Sequence, residues 1–267
     1  MSTPPLELVS FERPPVQEVA FALQLPDPTV DLDFLAALPQ NLSYDVPVRQ
    51  LRDPLPRMFE SLVDGPELQI VEPLGPSLPR AWFLSRDGVL LVQAQEDRLA
   101  LNWRRSGLPI DYPRYSTLRP MFEELIAVSQ KLLKLNEIAG DLVELTYVNE
   151  LNIDGGSGLP AERALTTVRA PESDFLPPPE DSRWAARWLI PGSSDLPLGR
   201  LIASAEPATR QSDQRETYLL TMTAKFPGAL AGLKQIIEKV DLGHEWIVKG
   251  FADLTTKQMQ ERWGRTK

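Results

Sequence analysis

Residues 80–105, RAWFLSRDGVLLVQAQEDRLALNWRR, decide the fold class. Asp87-Gly88 separates two apolar runs and Glu96-Asp97 separates the second from a third, the spacing of two tight antiparallel connections. A type I′ turn is expected at Asp87-Gly88, because both residue types tolerate the positive φ it demands. The three runs therefore read as a meander. In the last one Leu99, Leu101 and Trp103 fall on one face and Arg98, Asn102 and Arg104 on the other, since successive strand side chains alternate. The apolar face is expected to be core.

Towards the N-terminus, residues 16–25 (VQEVAFALQL) read as a strand bounded by prolines. A proline-punctuated region follows to Pro79, with short amphipathic pieces around residues 32–38 and 56–63. Beyond the meander, Leu118, Met121, Phe122, Leu125, Ile126, Ser129, Leu132 and Leu133 recur at helical spacing. Pro120 is expected in the first turn, where its missing N–H costs nothing. The helix should end near Gly140. Residues 142–153 then read as a strand and residues 154–158 (DGGSG) as a loop. Residues 184–190, 199–206 and 216–226 read as three more strands. A helical region over 229–254 follows, with 241–243 as the place where it could break, and then an amphipathic tail ending in Trp263-Gly264.

One order of elements thus occurs twice: a strand, an irregular stretch, three strands and a helix. Residues 1–139 and 140–267 read as two similar halves of an α+β protein, each a mainly antiparallel sheet with a packed helix, related as a degenerate internal repeat. They could form one compact domain. A seam between them is the natural place for a ligand or a partner.

Composition narrows the chemistry. The 267-residue chain has no cysteine, which removes thiolate chemistry, zinc ribbons and disulfide scaffolds and fits a reducing compartment. Residues 1–5 lack the basic-then-apolar pattern of a leader and no stretch has the apolar length of a membrane span, so a cytoplasmic protein without membrane association is expected. With 37 acidic against 28 basic residues the net charge is −9, which makes nucleic acid an unexpected partner. The 26 prolines fall between periodic segments and read as stiff connections.

Several segments in order resemble a sporadically distributed bacterial family of uncharacterised proteins of about this length. They are Pro14-Pro15-Val16 with Glu18-Val19; Val92-Gln93-Ala94-Gln95 with Asp97-Arg98; Asn102-Trp103-Arg104-Arg105; Tyr112-Pro113-Arg114-Tyr115; Glu144-Leu145-Thr146-Tyr147-Val148-Asn149; and Asp241, His244, Phe251, Leu254-Thr255-Thr256 and Trp263-Gly264. The resemblance spans nearly the whole chain. It implies no catalytic residue or cofactor, and an accessory role in a mobile-element, toxin-neutralising or defence-type system.

His244 is the only histidine and so the one side chain that titrates near neutrality unperturbed. Its spacing with Leu233, Ile237, Val240, Ile247 and Phe251 places it on a helix face, as a core or interface histidine or as a catalytic one. His244-Glu245 opens like a zinc-protease motif, but Val248 stands where the second histidine belongs. Asn102-Trp103-Arg104-Arg105, with Arg98 and Arg114 nearby in sequence, makes the densest positive cluster, whose guanidinium groups could clamp a carboxylate or phosphate or form a solvated face paired with Glu96, Asp97 and Asp111. Glu144 and Glu150 lie about 20 Å apart along a strand, too far to share one reacting bond, and Glu144 should make a buried hydrogen bond or an ion pair with an arginine on a neighbouring strand. Trp246 and Trp263 could anchor an interface. No metal site and no cofactor motif is present.

The expected function is therefore that of a non-enzymatic protein-binding or regulatory component that contacts a protein partner or itself. Candidate binding residues are Arg98, Asn102, Trp103, Arg104, Arg105, Tyr115, Tyr147, Asn149, His244 and Trp246. Two alternatives remain open at this point: a small-molecule sensor with a pocket between the halves, and an enzyme centred on His244 or on a carboxylate-bound metal.

Overall fold

The computed structural model describes residues 8–63, 70–71, 77–152, 160–169, 174–177, 179–192, 196–210 and 213–266. The elements are β1 (Val16–Gln24), α1 (Leu32–Asn41), β2 (Val48–Arg52), β3 (Arg57–Met58), β4 (Ile70–Val71), β5 (Arg80–Leu84), β6 (Leu90–Gln95), β7 (Arg98–Arg104), α2 (Tyr115–Leu132), β8 (Ala139–Leu151), α3 (Pro160–Ala164), β9 (Trp184–Ile190), β10 (Gly199–Thr209), β11 (Glu216–Ala231), α4 (Gly232–Leu254) and α5 (Lys257–Arg262). Nine strands form one sheet in the order β2-β5-β6-β7-β1-β8-β11-β10-β9, and every pairing in it is antiparallel. The α+β expectation holds. Strands from residues 1–139 and from 140–267 share this one sheet rather than forming a sheet each, while β3 and β4 pair with each other in a separate two-stranded ladder, Arg57 opposite Val71 and Met58 opposite Ile70.

The middle of the sheet is the pairing of β1 with β8, which sets Phe21 opposite Leu145. Strand β7 returns to the free edge of β1 and β11 returns to the free edge of β8. One face of the sheet carries Phe21, Leu99, Leu101, Leu145, Leu220 and Phe226, all fully buried. Helices α2 and α4 close it, with α1 packed on α2. No helix among the described residues is long and apolar enough to cross a membrane.

The meander forms as its sequence demands, with one change at the first turn. Only Gly88 there has positive φ (71°), and its N–H donates to the Ser85 carbonyl at 2.9 Å, so the connection is not a type I′ turn. The Asp87 carboxylate accepts from the Ser85 hydroxyl and the Val89 N–H instead, which holds the loop in a different hand. In β7 the apolar alternation is as expected. The opposite face is not solvated, however: Arg98 and Asn102 are only 7% and 6% exposed. Residues 55–61 cross that face, and the strand β3 lies where an amphipathic piece was expected.

Helix α2 begins at Tyr115, so Pro120 sits in the second turn rather than the first. It ends at Leu132, well before Gly140, which belongs to β8. Helix α4 runs unbroken through 241–243. Gly243 is not a break but a close approach: a Cβ there would lie 3.1 Å from the Ala224 Cβ and 3.1 Å from the Phe226 ring. Trp263 is buried between Phe11 and Phe251 rather than exposed. The expected loop at 154–158 lies outside the described residues.

Gly243→Val should therefore force α4 away from β8 and β11 and destabilise the protein by about 1–3 kcal/mol. Urea unfolding checks this; an unchanged midpoint would show that the helix does not depend on that contact.

Candidate functional site

A cavity of about 760 Å³ opens at one end of β8, on the helix-covered side of the sheet. Four pieces of chain wall it. The inward face of β8 brings Tyr147 and Asn149, because residues two apart share a face of a strand. Helix α4 brings Asp241, His244, Val248 and Phe251, spaced to follow one side of a helix. The segment before α2 and its first turn bring Tyr112, Arg114, Tyr115 and Ser116, and residues 8–16 close the remaining side. That last wall is tied to the C-terminal tail: Glu12 N–H donates to Gly264 O and Arg13 N–H to Trp263 O.

Arg114 precedes α2 with φ 74° and ψ 156°, a conformation that only glycine adopts freely. Its guanidinium donates to the carbonyls of Phe11 (2.9 Å) and Glu12 (3.1 Å), so the strained residue fastens the N-terminal wall to the helix start.

Inside, the aromatic side chains form a chain of hydrogen bonds. The hydroxyls of Tyr112 and Tyr147 are 2.9 Å apart, and Tyr147 Oη lies 3.1 Å from His244 Nδ1. The Tyr115 ring stacks on the imidazole at 3.8 Å between centroids and 4° between planes. Its hydroxyl donates to Asp241 Oδ1 at 2.6 Å. Arg119 takes both oxygens of the same carboxylate, at 2.8 and 3.1 Å.

Burial sets the protonation states. It lowers His244 to about 4 from its ordinary 6.5, and the nearby Asp241 only partly opposes this. Burial pushes Tyr112 up to about 12 and raises Tyr115 and Tyr147 as well. Burial works against the charge on Asp241 too, but the bonds from Arg119 and Tyr115 outweigh it and hold that carboxyl below the usual range. At neutral pH the imidazole and the tyrosines are thus uncharged. The carboxylates are matched, Asp241 by Arg119 and Glu245 by Lys249. Arg114 is the lining cation with no carboxylate partner among the described residues.

Tyr115, Tyr147, Asn149 and His244 of the expected binding residues converge here, and Trp103 packs beneath, 5.4 Å from the Tyr112 ring. The others do not. Arg98 donates to Gln24, Asn102 donates to Glu18 and accepts from Gln93, and Arg104 donates to the Gly88 carbonyl, so these groups bind the sheet internally rather than projecting a common clamp. Arg105 does not line the cavity, and its backbone N–H donates to the Gln17 carbonyl of β1. Glu96, Asp97 and Asp111 do not ion-pair with that arginine cluster among the described residues; Asp97 pairs with Arg57. Glu144 pairs with Lys225 of β11 rather than with an arginine. Trp246 lines a separate cavity with Trp188. Tyr112, Arg114 and Asp241 belong to the site without having been singled out as binding residues. Asp241 stands three residues before His244 on the same helix, a signal the sequence does carry; the positive φ of Arg114 leaves none.

The carboxylate nearest His244 is engaged by Tyr115 and Arg119, and the bond to the imidazole comes from a tyrosine hydroxyl. The arrangement is thus a rigid, neutral, hydrogen-bonding wall rather than a carboxylate–imidazole dyad. Among the described residues no group of three His, Asp or Glu side chains could hold a metal ion.

Because His244 is lowered, the unfolded chain takes up its proton first on acidification, and the site costs stability as pH falls from 6.5 towards 4. The advantage of the wild type over His244→Phe in unfolding free energy should shrink by up to about 3 kcal/mol across that window. A difference independent of pH would contradict a buried neutral imidazole.

Comparison with known protein families and with curated proteins yields no match, so the reading of the site rests on these residues themselves.

Proposed function

We propose that the protein is a regulatory ligand-binding component whose cavity takes a small, largely apolar organic anion. The observation that carries this is the cavity itself. Its volume, aromatic lining and few convergent polar groups match the physical make-up of small-molecule sites, and its one perturbed imidazole is typical of them. Charge matching supports the choice of an anion, since among the described residues Asp241 and Glu245 have ion-pair partners and Arg114 binds only backbone carbonyls. Some of the residues that carry the family resemblance also meet here: Pro14-Pro15-Val16, Tyr112, Arg114, Tyr115, Tyr147, Asn149, Asp241, His244 and Phe251.

We read the protein as non-enzymatic and cytoplasmic, signalling occupancy to a protein partner within an accessory system of the mobile-element or defence type. The two halves are read as a degenerate repeat. The strand order supports this, because β7 returns to β1 as β11 returns to β8. A reading as an enzyme centred on His244 is disfavoured by the engagement of Asp241 with Arg119 and Tyr115.

The probe of choice is 8-anilinonaphthalene-1-sulfonate, an apolar organic anion that fluoresces when bound. Saturable one-to-one binding is expected, weakened roughly tenfold or more by Val248→Trp, which fills the cavity from α4 without touching the hydrogen-bonded tyrosines. Undiminished binding by a folded Val248→Trp protein, or binding without saturation, would remove the cavity from consideration.

A further inference from the structure

The other face of the sheet is polar, and a segment of the chain lies across it in an unusual way. Two glutamines each grip a backbone amide pair. Gln95 accepts from Leu55 N–H (2.9 Å) and donates to Leu55 O (3.0 Å). Gln24 does the same to Met58, at 2.9 and 2.8 Å. Both amides are fixed in orientation beforehand, Gln24 by Arg98 and Asp141 and Gln95 by Asp97. A side-chain amide that satisfies both the N–H and the C=O of one residue imitates the edge of a strand, and it does so whatever that residue's side chain is.

Specificity comes from two charged pockets three residues apart. Arg57 enters one made by Asp97 (3.2 Å) and Asp141, and also donates to Pro26 O. Glu60 enters one made by Arg200 (2.6 Å) and Lys225 (3.9 Å). Arg200 Nε approaches the carboxylate without hydrogen-bond alignment, so that pocket holds its occupant by charge. Arg200 then anchors the chain beyond through the Ser61 carbonyl.

The grip is polar almost throughout. Leu55 and Phe59 are 38% and 42% exposed and Met58 is half-buried, so the segment plants no large apolar side chain fully in a core. Gln24, Gln95, Arg98 and Arg200 are buried and each bonds to this segment or to the residue after it. If it lifted, water would satisfy those groups, whereas withdrawing an apolar plug would expose surface that water cannot satisfy. Such a contact is made to exchange.

We propose that residues 55–60 occupy in cis a groove for an extended peptide, and that a partner protein's segment with arginine at one position and an acidic residue three positions later takes their place. The groove is on the opposite side of the sheet from the tyrosine–histidine cavity, and this inference does not rest on the cavity binding anything.

The test uses the full chain carrying Arg57→Ala with Glu60→Ala and a fluorescent peptide of residues 53–62, DPLPRMFESL. The variant should bind the peptide, and the wild type at least roughly tenfold more weakly because its groove is filled. A peptide with alanine in place of its arginine and glutamate should not bind. A folded variant that ignores the peptide overturns the proposal, and a variant that dimerises instead assigns the groove to a second copy and overturns the partner. Hydrogen exchange of the wild type decides the matter even if the variant fails to fold. The amides of Leu55 and Met58 should exchange at least about a hundredfold faster than those of Leu99 and Leu101; equal rates would make the segment a fixed part of the core.

Discussion

Strands β1 and β8 pair antiparallel at the centre of the sheet, and the rest of the molecule is arranged around that pairing. Each is the first strand of its half and each receives, on its outer edge, the last strand of a later meander. The helix that follows each meander must then return over the same face, which brings α2 and α4 together above the central strands. The cavity forms at the end of this junction. Neither half could enclose it alone, since Tyr112, Arg114 and Tyr115 come from one and Tyr147, Asp241 and His244 from the other.

The two faces of the sheet solve burial differently. The helix side is largely apolar, and at the cavity each tyrosine hydroxyl has a partner and the imidazole is kept neutral. The other side carries Gln24, Gln95, Arg98, Arg200 and Lys225, and among the described residues no helix packs on it. It is covered by backbone and by ion pairs from residues 55–61. A protein built only to be stable would have little use for so polar a cover, because buried ion pairs seldom outperform apolar packing.

Much of this was legible in the residues. The alternation in β7, the proline-bounded β1 and the helical spacing in α2 and α4 each follow from a local period, and a local period needs no knowledge of the partner. Four of the site residues were legible too, as Tyr115, Tyr147, Asn149 and His244. The arginine cluster misled for a definite reason. Alternation in β7 puts Arg98, Asn102 and Arg104 on one face, but it cannot say that residues 55–61 would cross that face and that Gln24 and Glu18 of β1 would take up their donors. Gly243 misled in the same way: within a helix a glycine reads as a weakness, and only the nearness of Ala224 and Phe226 turns it into a fit.

What the sequence by itself determined was β1, the two later meanders, β8 and the long helices, with the faces that had to be buried, because hydrophobic period, turn residues and proline placement act over a few residues; β2, β3, β4 and α3 were not among them. What only the tertiary structure decided was that nine strands make one sheet, that Arg114 is strained to hold the N-terminal wall, and that Tyr112, Tyr147 and His244 meet in a hydrogen-bonded chain. Those outcomes depend on contacts between residues up to a hundred positions or more apart, such as Arg114 with Phe11 and Tyr115 with Asp241. Contacts at that range are fixed by packing the whole chain around β1 and β8.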